Sequence, residues 1–262
     1  MSLKQIALVS AAAVLISAVI CCPVIAQAQR LSPSAFAAQE CVKLNAAVEK
    51  GSADEVAALL DDGVDADCRN SGYDETPLMQ AATDGSLEVV KVLVRHGANL
   101  APTGTYRGRF PLTLAAGNKS ARNSNLDMVK FLVESGADVN ANCTEKGSSA
   151  YLAVEQIGPR NLTPLGAATI TGNLPVAEYL LLHKAKVNGR DGSSYTALMW
   201  ACVEGNPEIV KILLRHGADP KLTTDRGQNA RSFAAGRNHK DVLALLDAMD
   251  KIQQIKPATK QP

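Results

Sequence analysis

From Thr76 to Asn99 the chain reads T-P-L-M-Q-A-A-T-D-G-S-L-E-V-V-K-V-L-V-R-H-G-A-N, and a stretch of the same build returns along most of its length. No other feature constrains the fold as tightly. Thr76 is placed to accept a backbone N–H as an N-cap, and Pro77 fits the first helical position, where its missing donor costs nothing. Leu78, Ala81 and Ala82 then form a short apolar stripe of helical spacing, which Gly85 ends by supplying a left-handed residue. Ser86 caps a second helix with Leu87, Val90, Leu93 and Val94 on one face, Arg95 and His96 at its dipole-negative end, and Gly97 as its stop. Each helix is too short to stand alone. The hairpin they make cannot bury both of its apolar faces, so it must stack on copies of itself.

Those copies can be traced. The glycine between the two helices recurs as Gly51 and Gly85, 34 apart, then as Gly172 and Gly205, 33 apart, with Asn238 another 33 on. The second-helix stop recurs as Gly63, Gly97, Gly136, Lys184 and Gly217. The predicted fold is therefore all-α: a solenoid of about six stacked helix-turn-helix repeats. The repeats fall at about 38–66, 74–99, 108–140, 161–188, 194–219 and 227–250. The first lacks a T-P-L start, carries a capping box in Ser52-Ala53-Asp54-Glu55, and reads as the N-terminal cap. The last has Arg231 where the others have leucine, which suits a repeat with one wet face. Residues 251–262 show no periodic face beyond Ile252 and Ile255 and are expected to fray.

Two insertions break the period. The link between helices in the third repeat, 117–125, is about five residues longer than its counterpart, and Pro111 to Pro164 spans 53 residues, which places about 19 extra residues near 142–161. Long loops in compact folds are sites of function or of disorder.

Residues 1–28 stand apart. Lys4 makes a basic start, Ile6 to Ile20 is an apolar run broken only by Ser10 and Ser17, and Ala26-Gln27-Ala28 is a small-x-small cleavage site, so a secretory signal cut after Ala28 is expected. A membrane anchor is the rival reading, but the run is short of the roughly 20 residues a spanning helix needs. A lipoprotein signal at Cys21 is disfavoured by Ile20 before it. Loss of the segment leaves 26 basic and 26 acidic residues, since Lys4 alone is removed from counts of 27 and 26. A neutral chain offers no basic footprint for nucleic acid and no polybasic stripe for a membrane surface. The expected compartment is the periplasm or the extracellular space.

No catalytic constellation emerges. His96 and His216 occupy identical Arg-His-Gly contexts, His183 is read one residue earlier in the equivalent turn, and His239 opens the last second helix; a cation-capable residue at a helix C-terminus explains the first three. No two histidines share the i, i+4 face of a metal site, and no glycines form a phosphate loop. Neither Ser193-Ser194 nor Ser148-Ser149 has the strand–turn–helix context of a nucleophile. No cofactor, metal or catalytic residue is expected. Of the four cysteines outside the leader, Cys202 fills the small buried slot of Ala82 and Ala116. Cys41 and Cys68 are the disulfide candidates, with Cys143 as the competing partner; four cysteines allow three pairings.

What remains is surface. Tyr73, Tyr106 and Tyr195 lie in inter-repeat loops just before first helices, and Tyr151 lies in the large insertion, a placement that favours binding loops. Trp200 aligns with Gln80 and Leu114 in a half-buried slot and is read as core.

The starts Thr76-Pro77-Leu78-Met79, Phe110-Pro111-Leu112-Thr113, Thr163-Pro164-Leu165-Gly166 and Thr196-Ala197-Leu198-Met199, with the closes Gly97-Ala98-Asn99, Gly136-Ala137-Asp138-Val139-Asn140, Ala185-Lys186-Val187-Asn188 and Gly217-Ala218-Asp219, resemble the ankyrin repeat over roughly residues 38–250. The sequence departs from that family where Met79, Thr113, Gly166 and Met199 replace its usual histidine. The resemblance implies a concave partner surface built from the loops and first-helix ends, here Tyr73, Asp74, Asp84, Tyr106, Arg107, Arg109, Asn118, Tyr151, Arg160, Tyr195 and Glu204. It also implies short β-hairpin-like loops between repeats and a non-catalytic, monomeric protein-binding module. Similarity to secreted bacterial members implies that the partner, such as a toxin or an oxidative-stress enzyme, is guarded or inhibited. The alternative is a small-ligand binder or enzyme centred on 142–161; a general scaffold is a third reading.

Overall fold

A computed structural model describes residues 33–69, 75–101, 110–118, 124–141 and 161–255. Among the described residues twelve helices fall into six pairs: α1 (Pro33–Glu49) with α2 (Ala53–Asp61), α3 (Pro77–Asp84) with α4 (Leu87–Arg95), α5 (Pro111–Gly117) with α6 (Ser124–Glu134), α7 (Pro164–Ile170) with α8 (Leu174–Leu182), α9 (Ala197–Glu204) with α10 (Pro207–Arg215), and α11 (Ala230–Gly236) with α12 (Lys240–Ile255). Two single-residue bridges, Arg190 to Thr196 and Thr223 to Asn229, close hairpin loops between the later repeats. The described residues from Glu40 onward form one compact body, and the described residues up to Gln39, of which Ala37, Ala38 and Gln39 are exposed, belong to another unit.

Local chemistry explains where the first helices begin. Thr76 has extended backbone and its hydroxyl accepts from Met79 N at 3.3 Å; Thr163 does the same for Gly166 at 3.0 Å and Thr196 for Met199 at 3.3 Å. Gly85 ends α3 in the left-handed region at φ 80°, which a side chain would strain. The second helices differ from expectation at their starts. Ser86 stands at the N-cap of α4 but makes no side-chain cap bond, whereas Asn173 and Asn206 at the same position accept from Val176 and Ile209. The Ser86 hydroxyl lies instead over Gly51 of the preceding repeat. The capping box expected at Ser52 is half formed: Ser52 accepts from Glu55 N, while the Glu55 carboxylate accepts from Lys50.

Burial follows the stacking. Leu78, Leu112, Leu165 and Leu198 from the first helices and Leu93, Leu132, Leu180 and Leu213 from the second are all buried. Each such leucine contributes about 1.5–3 kcal/mol relative to exposure. In α4 the buried set is Val89, Val90, Val92 and Leu93, with Leu87 and Val94 only half-buried. The helix is packed by a neighbour on each side, so its apolar arc is wider than the one-sided stripe predicts. Met79 and Met199, where a histidine would be usual, are buried, and Met199 Sδ lies 3.5 Å from Thr196 N as a weak acceptor.

Backbone ties cross between repeats. Asp67 Oδ1 accepts from Asn99 N at 2.9 Å, Asn140 Oδ1 from Lys186 N at 2.7 Å, and Asn188 Oδ1 from Asp219 N at 2.9 Å. Lys184 holds the stop position of its repeat at φ 69°, where its counterparts are glycine. The ends of the stack are finished differently. Cys41 of α1 is bonded to Cys68 in the loop after α2, with Cα atoms 5.8 Å apart. At the other end Arg231 forms ion pairs with Asp247 and, at 2.6 Å, with Asp250. Those partners lie on α12, which runs to Ile255, so the segment expected to fray from residue 251 begins as helix.

Candidate partner-binding face

Among the described residues, the face that carries the first helices and the hairpin loops is most developed at the fifth and sixth repeats. Its organising group is Asp191, a carboxylate only 7% exposed. Asp191 Oδ1 accepts from Ser193 N at 2.8 Å and Tyr195 N at 2.9 Å, which fixes the hairpin, and Oδ2 accepts from the indole N–H of Trp200 at 2.8 Å. Burial pushes this carboxyl above its ordinary range, and the hydrogen bonds from Tyr195, Trp200 and Ser193 oppose that shift. Three donors therefore hold the anion in place and, through it, the loop and the indole.

The Tyr195 ring is set between two others. It stacks on Trp200 with centroids 4.6 Å apart and planes at 23°, and it meets Phe233 of the next repeat at 4.9 Å and 33°. All three rings are half-buried. On its other side the indole lies near Gly166 of the preceding repeat, where a Cβ would stand 3.9 Å away, an ordinary contact. The result is a continuous aromatic surface across a repeat boundary, held from beneath by a hydrogen-bonded carboxylate. Trp200 is half-buried, as its slot in the repeat predicts, while its place in a ring cluster that crosses to the next repeat was not anticipated. The signal was present in the register: one repeat on from Trp200 is Phe233, while the earlier repeats carry Gln80, Leu114 and Ala167 there.

The other expected site residues divide into two groups. Asp84, exposed at the end of α3, accepts from Gln80 Nε2 at 2.9 Å, and Glu204, exposed at the end of α9, lies one turn beyond Trp200 on the same helix face. Asn118 is turned to a structural use, donating to Thr83 O at 2.8 Å and accepting from the Asn125 side chain. Tyr73, Asp74, Tyr106, Arg107, Arg109, Tyr151 and Arg160 lie outside the described residues, as do Cys143 and the insertion at 142–160. Of the expected tyrosines Tyr195 falls among the described residues, where its ring meets Trp200 and Phe233.

Chemistry-bearing groups elsewhere are accounted for by packing. His96, His183 and His216 all stand on helix C-caps in one register, so His183 is level with the other two rather than one residue earlier. Its ring stacks on Tyr179 at 3.9 Å and shares a hydrogen bond with Tyr179 O. His239 Nε2 faces Val203 O at 3.1 Å. Cys202 is a buried free thiol whose pKa burial raises to about 12, far from a reactive thiolate. Among the described residues no three His, Cys, Asp or Glu side chains come together as a metal site, and no helix is long and apolar enough to cross a membrane.

Comparison with known proteins adds the following. Residues 44–143 and 146–224 match a family model described as ankyrin repeats (3 copies). The chain is 29% identical over 207 residues to the ankyrin repeat and KH domain-containing protein mask-1 of Caenorhabditis elegans, covering 73% of this chain and 8% of that protein. It is 30% identical over 195 residues to human SH3 and multiple ankyrin repeat domains protein 2, covering 74% and 9%. A third relative, palmitoyltransferase AKR1 of Lachancea kluyveri, is 27% identical over 180 residues, covering 69% and 22%. The chain spans less than a quarter of the length of each of these eukaryotic relatives.

Proposed function

The chain belongs to the ankyrin-repeat family, and on that premise we propose that it is a non-catalytic module that binds a partner protein through its first-helix and loop face, centred on Tyr195, Trp200 and Phe233. Stacked repeats of this kind present extended surfaces for recognition. The observation that carries the reading is the half-exposed aromatic surface itself. Large rings fixed by hydrogen bonds lose little entropy on binding, and buried aromatic anchors dominate interface energetics. Asp84 and Glu204 extend the same face with exposed carboxylates.

The compartment is part of the proposal. A Cys41–Cys68 bond persists where the surroundings are oxidising, which supports a periplasmic or secreted protein delivered by residues 1–28. Within the bacterial periplasm the proposed role is to guard or inhibit the bound partner, as a monomer.

The test is crosslinking pull-down from an extracytoplasmic fraction with wild type, Glu204→Arg, Tyr195→Ala, and Lys211→Glu on a second helix as control. Recovery of the partner falls about tenfold or more for the first two variants, a loss of about 1.4 kcal/mol, and is unchanged for the control. Equal recovery by all four proteins, with circular dichroism showing them equally folded, would refute the face.

A further inference from the structure

His96 ends α4 with both ring nitrogens engaged: Nδ1 is 2.9 Å from Val92 O in its own helix, and Nε2 is 3.1 Å from Asp61 Oδ1 at the end of α2 in the preceding repeat. A backbone carbonyl can only accept, and so can an ionised carboxylate. A neutral imidazole has one donor and would leave one of the two oxygens facing a lone pair. Only the imidazolium satisfies both contacts.

We infer that His96 is a proton-operated clamp that fastens the first repeat to the second, closed when the ring is doubly protonated and released when it is neutral. The stack supplies its own comparison at the same place in other repeats. His216 takes the identical C-cap position, but the residue in register with Asp61 one repeat before it is Leu182, 73% exposed and without an acceptor. His183 has Glu134 in that register, yet its ring is stacked on Tyr179. Three histidines thus share one helix position, and a crosswise carboxylate contact is present at His96 alone among the described residues. The contact joins the first described pair of helices to the second, across the packing of α2 on α4.

The charged groups that act on the ring are Asp61 of α2 and Arg95 of its own helix α4, which opposes; α6, on the other side of α4, contributes none among the described residues. The hydrogen bond to Val92 O, then that to Asp61, holds the His96 pKa above its ordinary value. The sign follows. A group whose folded pKa is raised contributes stability that is fully present below the unfolded value of about 6.5 and is lost as pH rises through the folded value. The junction between the first two repeats therefore tightens on mild acidification, the pH range in which histidine alone among unperturbed side chains changes charge.

The experiment is a histidine ring-proton NMR titration of the full chain, with hydrogen exchange of the α2 amides, corrected for intrinsic rate, at pH 5.5 and 8. Asp61 is highly exposed, with 73% side-chain accessibility, so Asp61→Asn leaves the fold intact while removing the anion. The His96 midpoint in wild type lies above that of the urea-unfolded chain and falls in Asp61→Asn, and α2 protection is greater at pH 5.5 than at pH 8 in wild type but not in the variant. A His96 midpoint that does not respond to Asp61→Asn overturns the contact. A midpoint that responds while α2 protection stays flat with pH overturns the clamp, since the ring would then be protonated without holding the repeat.

Discussion

The first and last repeats face the same problem and meet it by unlike means. Among the described residues each packs against a repeat on its inner side, α2 on α4 at one end and α11 and α12 on α9 and α10 at the other. At the N-terminal end a covalent bond joins α1 to the loop after α2, and His96 reaches across from the second repeat. At the C-terminal end the leucine slot of the earlier repeats holds Arg231, whose charge is met by two aspartates on the lengthened α12. One end depends on oxidation and protonation, the other on charge pairing in water. The difference shows that capping is a set of local solutions, each with its own solvent dependence, laid over a shared interior.

That contrast can be broken most severely by reducing the disulfide. A loop closed across a separation of 27 residues is worth about 3.5 kcal/mol on the chain-entropy estimate. Urea denaturation with and without reductant measures the loss, and hydrogen exchange localises it to α1 and α2 while α11 and α12 keep their protection. A smaller effect is expected from Gly205→Ala. Gly205 has φ +71°, and a Cβ there would stand 2.4 Å from the His239 ring, which covers the end of α9. The left-handed strain and the clash together cost about 2 kcal/mol, read as a lowered midpoint of thermal unfolding that starts at the C-terminal repeats. Smallest is Arg231→Met, which keeps bulk and removes the ion pairs. It costs about 1 kcal/mol in low salt and fades toward 1 M NaCl, because the pairs are partly exposed. The effect of reduction has no such salt dependence, and a salt-sensitive N-terminal end would dissolve the comparison.

The repeat was legible because its determinants are local. Thr76 bonds three residues ahead, Pro77 sits in the first turn and Gly85 turns left-handed, all within one stretch of chain. Cys41 and Cys68 were also within reach, since the register of one repeat places both at the same end of it. What escaped were contacts fixed by two repeats at once. The Tyr195, Trp200 and Phe233 rings become one surface only when α9 and α11 are laid side by side. Arg231 read as a solvated residue because its partners Asp247 and Asp250 lie on the other helix of the repeat, 16 and 19 residues away, and α12 carries both of them on its way to Ile255. Ser86 was a sound N-cap by type, yet its side chain makes no cap bond and its hydroxyl lies beside Gly51 across the repeat boundary.

Trp200 is the single tryptophan of the chain. Its indole N–H is tied to a buried carboxylate, and its ring lies between the glycine of one repeat and the tyrosine of its own hairpin. The protein accordingly carries one native indole fluorophore, in an aromatic stack at the boundary between the fifth and sixth repeats. Its emission reads that boundary directly, without a label: a red shift when the fifth and sixth repeats part, and a change in intensity when something settles on the rings.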